Sequence, residues 1–485
     1  MAADATDHAA RDRAVDVLCD PSLAHVVDLL AYPSGDSSVV VANAGGAARL
    51  SGPDDVEVLH GRNPVAREDP FAFTPLTSEV AEPWPPNVDN SYPWAYERLL
   101  SLFSAIDAPD IAVVHTGAHY WPDEGGHLGE HGSLAVLQSR APLILSGPGV
   151  VTRGFVPMSA RMVDIGPTLA WLAGAPLSSL SDMEGAALVD AVLPDGAAHV
   201  VGLLWDGCNS NSLYSLTRAG VLPNVARLLE RGCAFVGGSI AEFPSVTLVN
   251  HTSALTGVGP GRHGIVNNAY FDRRSAAQVL TNNAATWHRW SEWLAPGIRT
   301  AFQRVEGMTA SVNEPVDAGA SYSTFGLVRD HGSSDGAKSM NSMLPDPAAD
   351  SLATQEFVAV NKDYAWSSSV DAIGVDQVLG LWKSASSAPR LMWWNTLLTD
   401  TGHHEGGPHS PIAHASMQDA DRRLGVFLDH LESLGVLDRT VVVLTSDHGS
   451  EGADVECRGD WDTPLRDAGL TFRDEAYGFI YLGHS

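Results

Sequence analysis

Three stretches of this chain share a pattern that leaves few choices of fold. Val200–Trp205 (VVGLLW), Leu391–Leu398 (LMWWNTLL) and Thr440–Thr445 (TVVVLT) are short runs dense in branched and aromatic residues. Each is followed within two residues by an aspartate: Asp206, Asp400 and Asp447. A strand that is apolar on both faces must be covered on both, the condition of a central, largely parallel strand in an α/β sheet. Ile111–His115 and Pro142–Ser146 read the same way. Leu424, Phe427, Leu428, Leu431 and Leu434 recur at helical spacing and Gly435 ends the run. A second helix is expected from about Asn224 to Arg231, closed by Gly232. Strand bursts alternating with helical stretches predict a layered α/β fold.

Composition narrows the function classes. The 485 residues are 44% hydrophobic, which supports a sizeable core and excludes general disorder. With 29 Lys+Arg against 58 Asp+Glu the formal charge is −29, which argues against a nucleic-acid polymer as partner. Four scattered cysteines (Cys19, Cys208, Cys233, Cys457) form no CxxC pair and suggest neither a disulfide framework nor a thiolate zinc site. The acidic N-terminus does not read as a signal peptide, and no apolar run reaches the roughly 18 residues that span a bilayer. The expectation is a cytoplasmic protein without a membrane partner; its oligomeric state is left open. Residues from about Ser22 to Asn90 read as a small β-rich unit left through the Pro-rich linker Glu82–Asn87. Residues 275–390 read as partly core and partly an insertion over the site.

The aspartates stand where α/β sheets place their sites, at strand ends. A lone Asp there is commonly a turn former or cap. Asp447–His448, and Asp400 with His404 four residues on, each combine hard oxygen with imidazole, the ligand mix of a metal centre. Thr247, in PSVTLVNHTSALTG (244–257), stands where a helix would begin. Its hydroxyl reads equally as an N-cap or as a nucleophile beside a cation at the positive helix end.

These pieces together resemble the nucleotide pyrophosphatase/phosphodiesterase branch of the alkaline phosphatase superfamily. The resemblance is carried by WDG with Asp206, LPNVARLLERG (222–232), FPSVTLVNH (243–251), TGVGPGRHGIVNN (256–268), DTGHHEGGP (400–408) and TSDHG (445–449). It implies an alkaline-phosphatase-like central sheet, mostly parallel and flanked by helices. It also implies two divalent cations, Zn²⁺ with Mn²⁺ as a substitute, one held by Asp206, Thr247, Asp447 and His448. The other takes Asp400, His404 (His403 stays open) and a last histidine that family members carry C-terminal to the DHG motif. Here that context lies at the front, GEHGSLAVLQSRAPLILSGPGV (129–150) and RMVDIGPTLAWLAGAP (161–176). The chain is therefore expected to be circularly permuted, with His131 as that ligand and His484, His127 and His119 as weaker rivals. The corresponding division is a β-rich cap at 1–105, the permuted C-terminal part of the core at 106–195, and the main core at 196–485.

The implied activity is hydrolysis of phosphodiester or pyrophosphate bonds in a small, nucleotide-like substrate through a covalent phosphothreonine on Thr247, with cations about 4 Å apart bracketing the phosphoryl group. Asn250, three residues into the helix, is expected to point its neutral amide at a non-bridging oxygen, which suits a diester. Tyr270 and Phe271 are candidates to stack on a flat leaving group. A phosphomonoesterase or phosphonoacetate-hydrolase-like enzyme, or a metal-binding pseudoenzyme, is the alternative.

Overall fold

The computed structural model describes residues 8–35, 37–81, 90–122, 125–332 and 335–484; the linker Glu82–Asn87 lies outside them. Its centre is an eight-stranded mixed sheet in the order Tyr322–Ser323, Thr309–Val312, Leu391–Thr396, His199–Trp205, Thr440–Thr445, Leu143–Ser146, Gly232–Phe235, Gly154–Val156. The strands that carry the three aspartates are adjacent and parallel, with Val201 opposite both Met392 and Val442. The apolar runs reflect coverage on both faces. Val200, Leu204, Trp393, Val441 and Leu145 pack on one side against Leu169, Leu248 and Leu255. Val201, Leu203, Trp394, Val442 and Ile144 pack on the other against Leu213, Val378, Leu424 and Phe427. Burying each such side chain stabilises the fold by about 1.5–3 kcal/mol before entropy is charged against it.

The helix over Leu424–Leu431 is longer than its apolar stripe, running Pro411–Ser433. Ser410 caps it by accepting the Ala413 N–H, and Pro411 occupies the first turn, where no N–H is needed. The second helix is Pro223–Glu230, but Gly232 does not cap it: it opens the strand Gly232–Phe235. There a Cβ would lie 1.8 Å from the Leu145 carbonyl oxygen, so glycine permits the close strand approach.

Ile111–His115 is a strand of a different sheet. It joins an antiparallel, seven-stranded sheet with Val27–Pro33, Val39–Asn43, Gly46–Gly52 and Asp55–Gly61 from the front, and Phe472–Glu475 and Phe479–Leu482 from the end of the chain. The boundary at 105/106 and the assignment of residues up to 485 to the core therefore do not follow the sheets. Both chain ends build the second sheet together, through Ile480 opposite Ile111. The front segment also enters the central sheet: Leu143–Ser146 lies antiparallel between Thr440–Thr445 and Gly232–Phe235. From residues 275–390 come the core strand Thr309–Val312 and the helix Lys362–Leu381. No helix among the described residues is long and apolar enough to cross a membrane.

Candidate active site

Three parallel strands ending at one edge bring their trailing residues together. Asp206 follows His199–Trp205, and Asp447–His448 follow Thr440–Thr445. Asp400 and His404 lie one turn apart on the helix Leu398–Gly406 and so share a face, His404 Nε2 standing 3.3 Å from Asp400 Oδ1. Gly207 is required between the first two centres: its φ is +63°, and a Cβ there would lie 2.2 Å from Asp400 Oδ1.

The front third supplies His131. The two-residue strand Gly129–Glu130 pairs with Glu451–Gly452, just past His448. Leu128 N–H donates to the His404 carbonyl at 2.7 Å, and Gly132 N–H to Ser245 Oγ at 3.1 Å in the loop before Thr247. The His131 ring stacks on His448 with centroids 3.8 Å apart and lies 5.1 Å from His404. Its Nε2 is 3.2 Å from the Tyr477 hydroxyl. His131, Asp400 and His404 offer ligand atoms to one point, and so do Asp206, Asp400 and His448.

Three imidazoles are fixed in the same tautomer. Nδ1–H of His131, His404 and His448 donates to the carbonyls of Ser245, Gly129 and Gly449 at 3.1, 2.8 and 2.8 Å. That turns each Nε2 to the cluster, the usual preparation of a metal ligand. His448 Nε2 faces Asp447 Oδ2 at 3.2 Å and Asp206 Oδ1 at 3.9 Å, and all three atoms are buried without a hydrogen-bond partner among the described residues. Orphaned buried polar atoms of this kind are rare, and here they converge. Burial, then the neighbouring Asp447 carboxylate, pushes Asp206 well above the usual carboxylate range. Burial, then His448 and His404, holds His131 well below the usual imidazole value. Burial would lower His404 too, yet Asp400 raises it to about 10. The carboxylates need positive charge and the donor set is oxygen plus imidazole, so these residues fit divalent cations.

Thr247 opens the helix Thr247–Thr256 as its first residue, and Val246 is the cap, so the N-cap reading of Thr247 does not hold. The residue is 8% exposed and lines a cavity of about 160 Å³ with Asp206, His251, Asp400, Trp287 and Trp366. Asn250 points elsewhere. Its Oδ1 accepts the Glu242 N–H at 2.6 Å and its Nδ2 donates to the Pro244 and Val246 carbonyls at 3.2 and 3.0 Å, which ties down the loop before the helix. The expectation that it contacts a phosphoryl oxygen is corrected. The amide next to Thr247 is Asn268, whose Oδ1 accepts the Leu248 N–H at 3.1 Å. The Asn267–Asn268 pair after HGIV was its only signal in the sequence.

Tyr270 and Phe271 are buried in the hairpin strand Ala269–Asp272 with Phe243 and Tyr481, away from the cavity. The aromatic walls are Trp287 and Trp366, 6.3 Å apart, from the 275–390 region. His403 spends both nitrogens on the Thr399 carbonyl and the Asn209 N–H, which leaves the face to His404. His484 packs on Phe271, and His119 on Trp121 and Trp461. His127 sits at the rim, 3.4 Å from Glu130.

Beneath the cluster, Glu451 is 1% exposed, accepts from Gln138 Nε2 at 3.2 Å, and is raised to about 8 by burial and then by Glu79. An acid whose folded pKa is raised favours the fold below its unfolded value of 4.5, and that contribution is lost as pH rises to about 8. Glu451→Gln is expected to stabilise the metal-free chain at pH 8.5 by on the order of 4 kcal/mol and to change nothing at pH 4. Denaturant midpoints across pH check this; a parallel pH profile in parent and variant would show that Glu451 titrates normally.

A layered α/β fold with an oxygen-and-imidazole cluster beside the start of a helix defines a structural class. Within it, the type I phosphodiesterase/nucleotide pyrophosphatase family matches residues 200–484, and the chain belongs to that family. It is 24% identical over 251 residues to mouse ectonucleotide pyrophosphatase/phosphodiesterase family member 1, covering 51% of this chain and 23% of that protein. It is 36% identical over 93 residues to an uncharacterised pyrophosphatase/phosphodiesterase of Schizosaccharomyces pombe, 18% of each. The chain thus spans less than a quarter of the length of these curated relatives. Murine ectonucleotide pyrophosphatase/phosphodiesterase 5 aligns with a TM-score of 0.40 at 18% identity, over 57% of this chain and 64% of that one.

Proposed function

We propose that this chain hydrolyses small phosphodiesters or pyrophosphates through a phosphothreonine formed on Thr247, with cations held by Asp206, Asp447 and His448 on one side and by Asp400, His404 and His131 on the other. The observation that carries this reading is the convergence of Asp206 Oδ1, Asp447 Oδ2 and His448 Nε2, buried without a hydrogen-bond partner among the described residues, with Asp206 and Thr247 lining one cavity. Bound divalent cations would acidify the hydroxyl and offset charge on the phosphoryl and leaving oxygens; Zn²⁺ suits the donors and Mn²⁺ can replace it. Thr247 Oγ1 forms the bond to phosphorus as the bond to the leaving oxygen breaks, and water then cleaves the Thr247 ester. The Thr247 N–H, in the first turn, has no helical partner and is available to a non-bridging oxygen together with Asn268 Nδ2.

Among the described residues no Lys or Arg lines the cavity, so none of them matches the second charge of a monoester dianion. A diester carries one. Its second substituent would lie along Trp287 and Trp366, which suits a flat group. The metal-loaded chain is therefore expected to favour bis(p-nitrophenyl) phosphate over p-nitrophenyl phosphate by roughly 100-fold in kcat/KM. Equal or reversed rates would remove the diester preference, and no turnover with cations bound would make the chain a binding module.

The same reading takes the chain as circularly permuted within its family. The family match begins at residue 200, yet the front segment contributes a central strand and His131.

A further inference from the structure

Thr247 and His251 lie one turn apart, so one helix face presents a hydroxyl and an imidazole to the cavity. His251 is 1% exposed, and neither of its ring nitrogens has a well-aligned hydrogen bond among the described residues. Its Nδ1 is 2.9 Å from Glu314 Oε2. Glu314 is itself pinned, accepting the Val316 N–H at Oε1 and Trp393 Nε1–H at Oε2, both at 2.9 Å. On the other side, His251 Nε2 lies 3.6 Å from Asp206 Oδ2 and 3.5 Å from Asp447 Oδ2. These separations exceed the roughly 2.7–3.2 Å of a hydrogen bond. They are close to the ~3.3 Å between neighbouring donors on a tetrahedral ion with bonds of ~2.0–2.1 Å. A carboxylate at one imidazole nitrogen and a cation at the other is a recurrent metal-site arrangement.

We propose that His251 is a protein ligand of the cation held by Asp206 and Asp447, with Glu314 as its positioning residue. This rests on the two-cation reading above and adds a donor that the family resemblance does not supply. Asp206, His251 and Asp447 then offer one carboxylate oxygen, one imidazole nitrogen and a second carboxylate oxygen to a single point.

The test is zinc X-ray absorption on the full chain, which counts imidazoles per ion, with zinc affinity measured by chelator competition. The parent is expected to show about two imidazoles per zinc and His251→Ala about one and a half, with one equivalent bound at least ~10²-fold more weakly. Glu314→Gln should keep the count and weaken that equivalent by about 10–100-fold. An unchanged count in His251→Ala with two zinc ions bound would overturn the assignment and leave the two-cation reading intact. If His251→Ala fails to fold by circular dichroism, unchanged zinc affinity in Glu314→Gln overturns it instead. A parent chain that binds no zinc removes the two-cation reading, and the role of His251 with it.

Discussion

Thr247→Ala is expected to lower kcat on a diester by at least ~10⁴-fold while the chain keeps about two equivalents of zinc. Removing a nucleophile leaves only the rate that binding and electrostatics supply, and losses of this size follow when one member of a concerted set is deleted. Metal content should survive because Asp206, Asp447 and His448 remain, buried and already aimed. Folding should survive as well, since Thr247 does not cap its helix; Val246 stands at that position without a side-chain bond. Thr247→Ser keeps a hydroxyl at the same point and should retain measurable turnover. Steady-state kinetics with metal analysis on the same samples decides the matter. Activity in Thr247→Ala within tenfold of the parent would take the nucleophile's role from Thr247.

His131→Ala should be nearly as damaging by a different route. It is expected to reduce bound zinc from about two to about one per chain and kcat by roughly 10³-fold. Its ring stacks on His448 and its Nδ1–H is fixed on the Ser245 carbonyl, so its Nε2 is oriented before any ion arrives. His484→Ala, which alters a ring packed on Phe271, should leave metal content and rate alone. Full zinc content in His131→Ala would mean that the front third does not complete the site, and the permuted reading would fail with it.

The legible part of this protein lies where short-range pattern and chemistry coincide. The runs at 200–205, 391–398 and 440–445 are apolar at consecutive positions because both faces of a central strand are covered, so their place in the sheet could be read from residue type. The residues just past them could be read too, since Asp–His and Asp–x₃–His combinations have few uses at strand ends. Thr247 was legible as either a cap or a nucleophile, and the cap reading fell because the helix begins at that residue itself. His251 carried a signal in its spacing, four residues after Thr247, but only Glu314 at 2.9 Å gives that spacing a chemical meaning.

What tertiary structure alone decided is partner choice between distant segments. Ile111–His115 has the composition of a central strand, yet it pairs with Val27–Pro33 and Phe479–Leu482 in the other sheet. Asn250 and Asn268 are both asparagines near Thr247, and only their hydrogen bonds separate the one that braces the loop before the helix from the one bonded to the Leu248 N–H. Tyr270 and Phe271 were plausible stacking residues, but Trp287 and Trp366 reached the cavity. Local periodicity specifies which face of an element is apolar and says nothing about which remote element covers it. That choice is made by burial and strand register summed over the whole chain.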